Sequence, residues 1–376
     1  MIPISKPCIS EREISEVSEV LRSGMLAQGD RVERFERAFA SYVGCKYAVA
    51  LSNGTAALHV ALIAMGIGPG DEVIVPSYSF FATASAVVLS GAKPVFVDVD
   101  PRIGTIDPAE VKRKISSKTK AIITVHIHGH PADMDSLKDS LDGRDVMILE
   151  DCAQAHGALY KGRKVGKIGE AGAFSFYPTK NMTTGEGGII TTDDEEIYQR
   201  AKVIRDHGQL SKYEHHFIGF NYRMTEIQAA IGLVQLERLD EFNRRRKEIA
   251  STYSEELSGF IETPYVADWA EPVWHLYPVR VRDGRDKALE MLVRNGIMAR
   301  PAYPMPLQKQ PVFSKLGERD HNFLSVLFEG FDPSGIRTPN AEALCRELLY
   351  LPIYHCMTDE EVRKVIEVSK AVFRSI

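Results

Sequence analysis

Four short segments concentrate residue types that can do chemistry. The first is Ser52-Asn53-Gly54-Thr55-Ala56-Ala57-Leu58, a small polar turn before an apolar helical stretch. Such a turn offers unpaired backbone N–H groups and a hydroxyl at a helix N-terminus, which suits a phosphate. The same residues alone would serve as an ordinary N-cap. The second is Pro76-Ser77-Tyr78-Ser79-Phe80-Phe81. An aromatic ring there could cover a flat ligand by stacking, or simply fill the core. The third is Glu150-Asp151-Cys152-Ala153-Gln154-Ala155-His156. Asp151 could pair with a protonated ring nitrogen and Gln154 could hydrogen-bond a ring oxygen, while the bland role is a helix cap. The fourth is Phe174-Ser175-Phe176-Tyr177-Pro178-Thr179-Lys180-Asn181, followed by Gly185-Glu186-Gly187-Gly188. A lysine leaving an apolar strand can lose solvation, drop its pKa and become an amine nucleophile for a Schiff base. Taken singly, each segment has a structural explanation. Together, a phosphate cradle, a stacking ring, an anion for a pyridine nitrogen and a lysine for an aldehyde are what pyridoxal 5'-phosphate requires.

Those segments need elements to hold them. Tyr47–Leu51, 73–75, 94–97, 121–125, 146–149, 171–176 and 188–192 read as short, apolar or β-branched strands, and helical patterns separate most of them. Strands of this kind alternating with helices predict an α/β fold, a mostly parallel sheet sandwiched by helices. In such sheets ligands bind beyond the carboxyl ends of the strands, where all four segments lie. Capping-box spacing at Ser10-Glu11-Arg12-Glu13 starts an amphipathic helix, and a second runs from about 32 to 43. A long helical pattern covers 224–257, after which proline becomes frequent at Pro264, Pro272, Pro278, Pro301, Pro304, Pro306 and Pro311. The composition change places a large domain at 1–250 and a smaller C-terminal α+β domain at 251–376.

At this point the residues resemble a known family. SNGTAAL at 52–58, GDEVIVPSYSFFATA at 70–84, GAKPVFVDVD at 91–100, EDCAQAHGA at 150–158, FSFYPTKNMTTGEGG at 174–188 and FNYRMTEIQAAIG at 220–232 look like the DegT/StrS-type nucleotide-sugar aminotransferases. HGHPADMD at 128–135 fits the same pattern as a structural turn; the C-terminal third matches more weakly. The resemblance implies the aspartate-aminotransferase fold of pyridoxal-phosphate enzymes. It implies that Lys180 forms the internal aldimine and shuttles the proton, and that Asp151 keeps the pyridine nitrogen protonated. Gln154 would contact the ring hydroxyl, Phe80 would stack, and Gly54, Thr55 and Ser175 would hold the phosphate. Asn221 would reach the phosphate of the partner subunit, so the enzyme would be a homodimer with shared active sites. The implied activity is a ping-pong transamination, from an amino-acid donor, usually L-glutamate, to a nucleotide-linked keto sugar. Similar dehydratases carry histidine where Lys180 stands. The start MIP and the run TTGEGG resemble perosamine synthases, enzymes of polysaccharide biosynthesis.

Other functions fit the residues less well. His126, His128 and His130 recur with a period of two, with Asp133 and Asp135 beyond, so a metal-dependent hydrolase is the rival from another class. Gly129 and Pro131 end the strand too early for that face to form, and no metal site is expected. A nicotinamide enzyme lacks its GxGxxG turn. A non-catalytic, cofactor-binding regulatory protein would keep the same residues without turnover. The 376 residues carry a net charge of −5 and 44% hydrophobic residues, which favours neither nucleic acid nor an anionic membrane as partner. Two uncharged runs, 47–70 and 73–92, are broken by Asn53-Gly54 and Pro76 and do not read as membrane spans. Arg244 to Lys247 reads as a solvated basic face, and His207, His215 and His216 as lining for the sugar cleft. Five scattered cysteines and the absence of a leader-like N-terminus point to reduced thiols and a cytoplasmic protein.

Overall fold

The computed structural model describes residues 1–316 and 324–376. Seven strands form the central sheet: β1 (Tyr47–Leu51), β2 (Glu72–Pro76), β3 (Lys93–Val97), β4 (Thr119–Val125), β5 (Met147–Asp151), β6 (Ala171–Ser175) and β7 (Gly188–Thr192). Their order is β1-β7-β6-β5-β4-β2-β3. Six run parallel; β7 is antiparallel to both its neighbours. The strands are short and rich in Val, Ile and Ala because both faces are covered. Successive residues serve opposite layers: Ala48 and Ala50 join one core with Phe35, Phe39, Phe174 and Leu239, whereas Val49 and Leu51 join the other with Ala57, Val60 and Ile190.

The helices that close these layers begin where the sequence supplies caps. Asn53 caps Gly54–Ala64, its side chain accepting from the Ala56 N–H at 2.9 Å. Thr225 and Gln228 make a capping box for the 32-residue helix Glu226–Leu257. That helix packs Leu236 and Leu239 in the first core, while Ile249, Ala250, Tyr253 and Leu257 enter a further core built on a three-stranded sheet. The small sheet holds β8 (Tyr277–Arg280), β9 (Arg300–Pro301) and β10 (Leu348–Leu351), in the order β8-β10-β9. None of the described helices is long and apolar enough to cross a membrane.

The N-terminal residues form a strap across this architecture. Ile2 pairs with Ile297, the Ile4 carbonyl accepts from the Ile353 N–H, and the Cys8 carbonyl accepts from Gln235 on the long helix. The strap overturns the expectation of five reduced thiols: Cys8 and Cys356 are joined as a disulfide, with Cα atoms 6.6 Å apart, and Cys45, Cys152 and Cys345 are free. The pair is separated by 348 residues, so no local spacing in the sequence announces it.

Candidate active site

A cavity of about 860 Å³ opens at the carboxyl ends of the parallel strands. Its lining includes Gly54, Thr55, Phe80, Asp151, Gln154, Ser175 and Lys180, so seven of the eight residues singled out from the sequence converge on one space. Strand register explains the convergence. Val125 of β4 pairs with Asp151, the last residue of β5, and Asp151 pairs with Ala173 of β6. Gly188 pairs with both Leu51 and Ser175, drawing the ends of β1 and β6 together.

The cradle at the start of helix Gly54–Ala64 depends on a missing side chain. A Cβ added to Gly54 would sit 2.6 Å from the Ser175 Cβ, well inside any real contact. Glycine lets the helix N-terminus lie directly against Ser175, and leaves the first N–H groups without helical partners.

Asp151 is buried beneath the cavity. Its Oδ2 accepts from the Thr83 hydroxyl at 2.9 Å, Ser79 lies 2.8 Å from that hydroxyl, and Oδ1 accepts from the Ala153 N–H at 3.1 Å. Burial raises the Asp151 pKa, opposed by these donors and by the positive charge of Lys180. Lys180 responds the other way: desolvation lowers its pKa to about 8, and Asp151 holds it from falling further. Its loop is anchored just after the lysine. Asn181 donates to Asn243 Oδ1 and to the Val273 carbonyl, both at 2.8 Å, and the Thr183 hydroxyl donates to the Phe176 carbonyl at 2.9 Å.

Gln154 is held at both ends of its amide. Oε1 accepts from the His128 N–H at 2.7 Å and Nε2 donates to the Tyr303 hydroxyl at 2.8 Å. Phe80 projects into the opening and is 61% exposed. Asn221 lies opposite Asp206 in an isolated bridge, is exposed, and does not line the cavity of its own chain.

Several lining residues escaped sequence reasoning. Tyr303, Arg300 and His275 come from the small-domain side. His275 is buried with Nδ1 unpartnered among the described residues, and burial together with the charges of Lys180 and Arg246 drives its pKa well below the ordinary value. Arg246 corrects the notion of a wholly solvated basic run: it is buried and donates to the carbonyls of Trp274 and Ile353 at 3.1 and 3.0 Å. Thr83, in the first turn of helix Ala82–Leu89 behind Asp151, was missed as well.

The zinc alternative loses its geometry. The strand ends at Val125, before all three imidazoles. His126 bonds Glu150 at 3.0 Å, His128 bonds the Tyr350 hydroxyl at 3.0 Å, and His130 bonds the Pro131 carbonyl at 2.7 Å, so the rings face different partners. Glu150 is further saturated by the N–H groups of Gly166, Ile168 and Gly169. His215 and His216 sit on an exposed hairpin and, like His207, do not line the cavity.

Comparison with known proteins decides the lineage. Residues 7–370 match the DegT/DnrJ/EryC1/StrS aminotransferase family. The chain belongs to that family. A dTDP-3-amino-3,6-dideoxy-alpha-D-galactopyranose transaminase of Aneurinibacillus thermoaerophilus is 41% identical over 360 residues, covering 95% of this chain and 94% of the relative. A GDP-perosamine synthase of Caulobacter vibrioides is 38% identical over 375 residues, covering 97% and 96%. Among solved structures, S. venezuelae DesV in complex with a ketimine intermediate superposes with a TM-score of 0.90 at 37% identity, covering 97% of this chain and 95% of that one. The mostly parallel sheet flanked by helices is therefore the fold of this aminotransferase family, as the sequence motifs implied.

Proposed function

We propose that this family member is a pyridoxal-phosphate-dependent aminotransferase that moves an amino group from an amino acid, with L-glutamate as expected donor, to a keto group of a nucleotide-linked sugar. One observation carries the proposal: a lysine with a pKa depressed to about 8 faces a buried carboxylate in the cavity that the Gly54 turn closes. The residues fit the cofactor. The Gly54–Thr55 N–H groups and Ser175 suit its phosphate, Asp151 its ring nitrogen, Gln154 its ring hydroxyl, Phe80 its face and Lys180 its aldehyde. When bound, the cofactor supplies the electron sink through which amino groups are exchanged.

The chain's own residues do the rest. Asp151 stays anionic beside a cationic ring, and the Thr83–Ser79 hydroxyl pair fixes its orientation. Lys180 Nζ, whose depressed pKa leaves a sizeable minority neutral near pH 7.5, would take the proton from the substrate carbon and deliver it across the substrate nitrogen to the second carbon of the 1,3-shift. Anchoring by Asn181 and Thr183 keeps that amine within reach of both. Arg300, which has no ion-pair partner among the described residues, places a positive charge at the mouth where anionic substrates enter. Asn221 of the partner subunit completes the phosphate site, which makes the working unit a homodimer in the cytoplasm. The GDP- and dTDP-linked sugars in the names of the two relatives support a nucleotide-linked acceptor.

The test is direct. Purified protein with pyridoxal phosphate and L-glutamate should release 2-oxoglutarate once per subunit, and turn over when dTDP- or GDP-linked keto sugars are added. Lys180→Ala should do neither. Full activity in that variant would refute the assignment, and cofactor binding without glutamate conversion would favour the regulatory role instead.

A further inference from the structure

The Cys8–Cys356 bond lies where the N-terminal strap leaves the catalytic cavity. Ile4 and Ser5 line that cavity, and the Ser5 hydroxyl donates to the Thr179 carbonyl at 3.4 Å, one residue before Lys180. Three residues later the strap is joined to Cys356, just after β10 of the small sheet. Upstream, Ile2 is held by backbone bonds to Gly296 and Met298. The stretch that walls the cavity is therefore pinned at both ends, and one of the pins is a sulfur–sulfur bond.

The surroundings of that bond suit exchange with a small thiol. Cys356 is exposed and Cys8 half-buried. A separate cavity of about 320 Å³ is lined by both cysteines and by Arg238, Arg244 and Arg245 against Glu241 and Glu248. Arg238 pairs with Glu13, and Arg245 with Asp359 and Glu248; no ion pair of Arg244 occurs among the described residues. Arg244, with no carboxylate paired to it there, places a positive charge beside the thiols, which favours the thiolate, the reactive form, and draws in anionic reagents. His355 stacks on Phe242 with ring centroids 3.7 Å apart, and neither ring nitrogen has a hydrogen-bond partner among the described residues. A ring nitrogen of His355 and both sulfurs lie within 4.8 Å of one another. Burial and the charges of Arg246 and Arg238 hold the His355 pKa down to about 3, so its lone pair is free to accept from a thiol.

We infer that Cys8 and Cys356 form a reversible thiol–disulfide site that takes an anionic low-molecular-weight thiol as its reductant and the corresponding disulfide as its oxidant, and that its state sets how firmly the strap walls the catalytic cavity. In the oxidising direction the two thiols give up two electrons and two protons to the small disulfide, which leaves as two thiols. In the reducing direction two small thiols become one disulfide and both protein thiols return. Reduction removes the covalent pin and leaves residues 3–9 held only by the hydrogen bonds at Ile2, Ile4 and Cys8, so opening concentrates there.

The experiment uses the full chain with reduced or oxidised glutathione. After oxidised glutathione, alkylation of the unfolded protein should find three thiols; after reduced glutathione acting on the folded protein, five. Reduction should raise hydrogen exchange at residues 3–9 about tenfold, leave the helix Asp30–Val43 unchanged, and weaken pyridoxal phosphate binding severalfold, with reoxidation restoring both. Cys356→Ser and Cys8→Ser should each behave as the reduced protein and ignore glutathione. Five thiols after oxidation, a bond that resists reduction until the protein unfolds, or reduction with unchanged strap exchange and cofactor affinity would each overturn the inference. None of these outcomes depends on which sugar the enzyme aminates.

Discussion

The Lys180 amine should capture its cofactor at a pH where ordinary lysines are inert. Desolvation in the cavity lowers its pKa from 10.5 to about 8. At about pH 7.5 an amine of that pKa is neutral in roughly one molecule in four, against roughly one in a thousand for an unshifted lysine. Only the neutral form attacks an aldehyde, so the capture rate should exceed that of an exposed lysine by roughly two hundred-fold from this cause alone. Stopped-flow mixing of cofactor-free protein with pyridoxal phosphate, followed through the near-visible absorbance of the lysine-bound chromophore, gives the rate at each pH. The rate should rise with pH and level off above about 8. Asp151 supplies the sign test. Its charge raises the Lys180 pKa against desolvation, so Asp151→Asn should move the midpoint to lower pH even as binding weakens. Linkage gives an independent readout. Because the folded pKa lies below the unfolded one, the unfolded chain binds more protons between about 8 and 10.5, and the ligand-free protein gains stability as pH rises through that window. Lys180→Met removes that gain. A midpoint near 10, or an upward shift in Asp151→Asn, would refute the electrostatic account.

Two further outcomes follow from packing. Gly54→Ala should fold, because nearby helix positions already hold alanine, but its Cβ would collide with Ser175 and lower cofactor affinity by at least tenfold in equilibrium dialysis; unchanged affinity would remove the cradle. Glu150→Gln should cost about 2–4 kcal/mol in denaturant unfolding, since the buried carboxylate satisfies His126 and three backbone N–H groups at once, with little change in the glutamate half-reaction of the folded fraction.

The sequence was most informative where local chemistry and strand ends coincide. The Ser10 capping box and the apolar strands are short-range signals, and the structure places a helix and the sheet strands where they pointed. Asp151 and Lys180 were legible because they stand at or beyond strand ends together with a phosphate-type turn and a stacking ring, a combination that one cofactor explains. Tyr303, His275 and Arg300 were not, because they reach the cavity from elements whose sequence carries no periodic pattern and whose approach is a tertiary event. The hairpin at 209–215 and the short strands at 159–164 were missed for the same reason: each is only two or three residues long. The Cys8–Cys356 pairing needed the whole chain to close.

The double pairing of Gly188 has a bearing on how the protein comes into being. A Cβ there would fall 2.2 Å from the Asn53 carbonyl oxygen, so β7 is wedged against the very turn that begins the cradle. β1 and β7 are more than 130 residues apart along the chain, and β7 must slot between β1 and β6 in the opposite direction. Gly54 and Ser175, which line the proposed cofactor site, thus meet at a corner that exists only after the most distant strands of the sheet have met. Long-range pairings of this kind form late because their loop-closure entropy must be met first. A nascent chain emerging from the ribosome would carry the Gly54 turn long before it could hold a cofactor, and acquisition of the yellow chromophore would mark completion of the sheet.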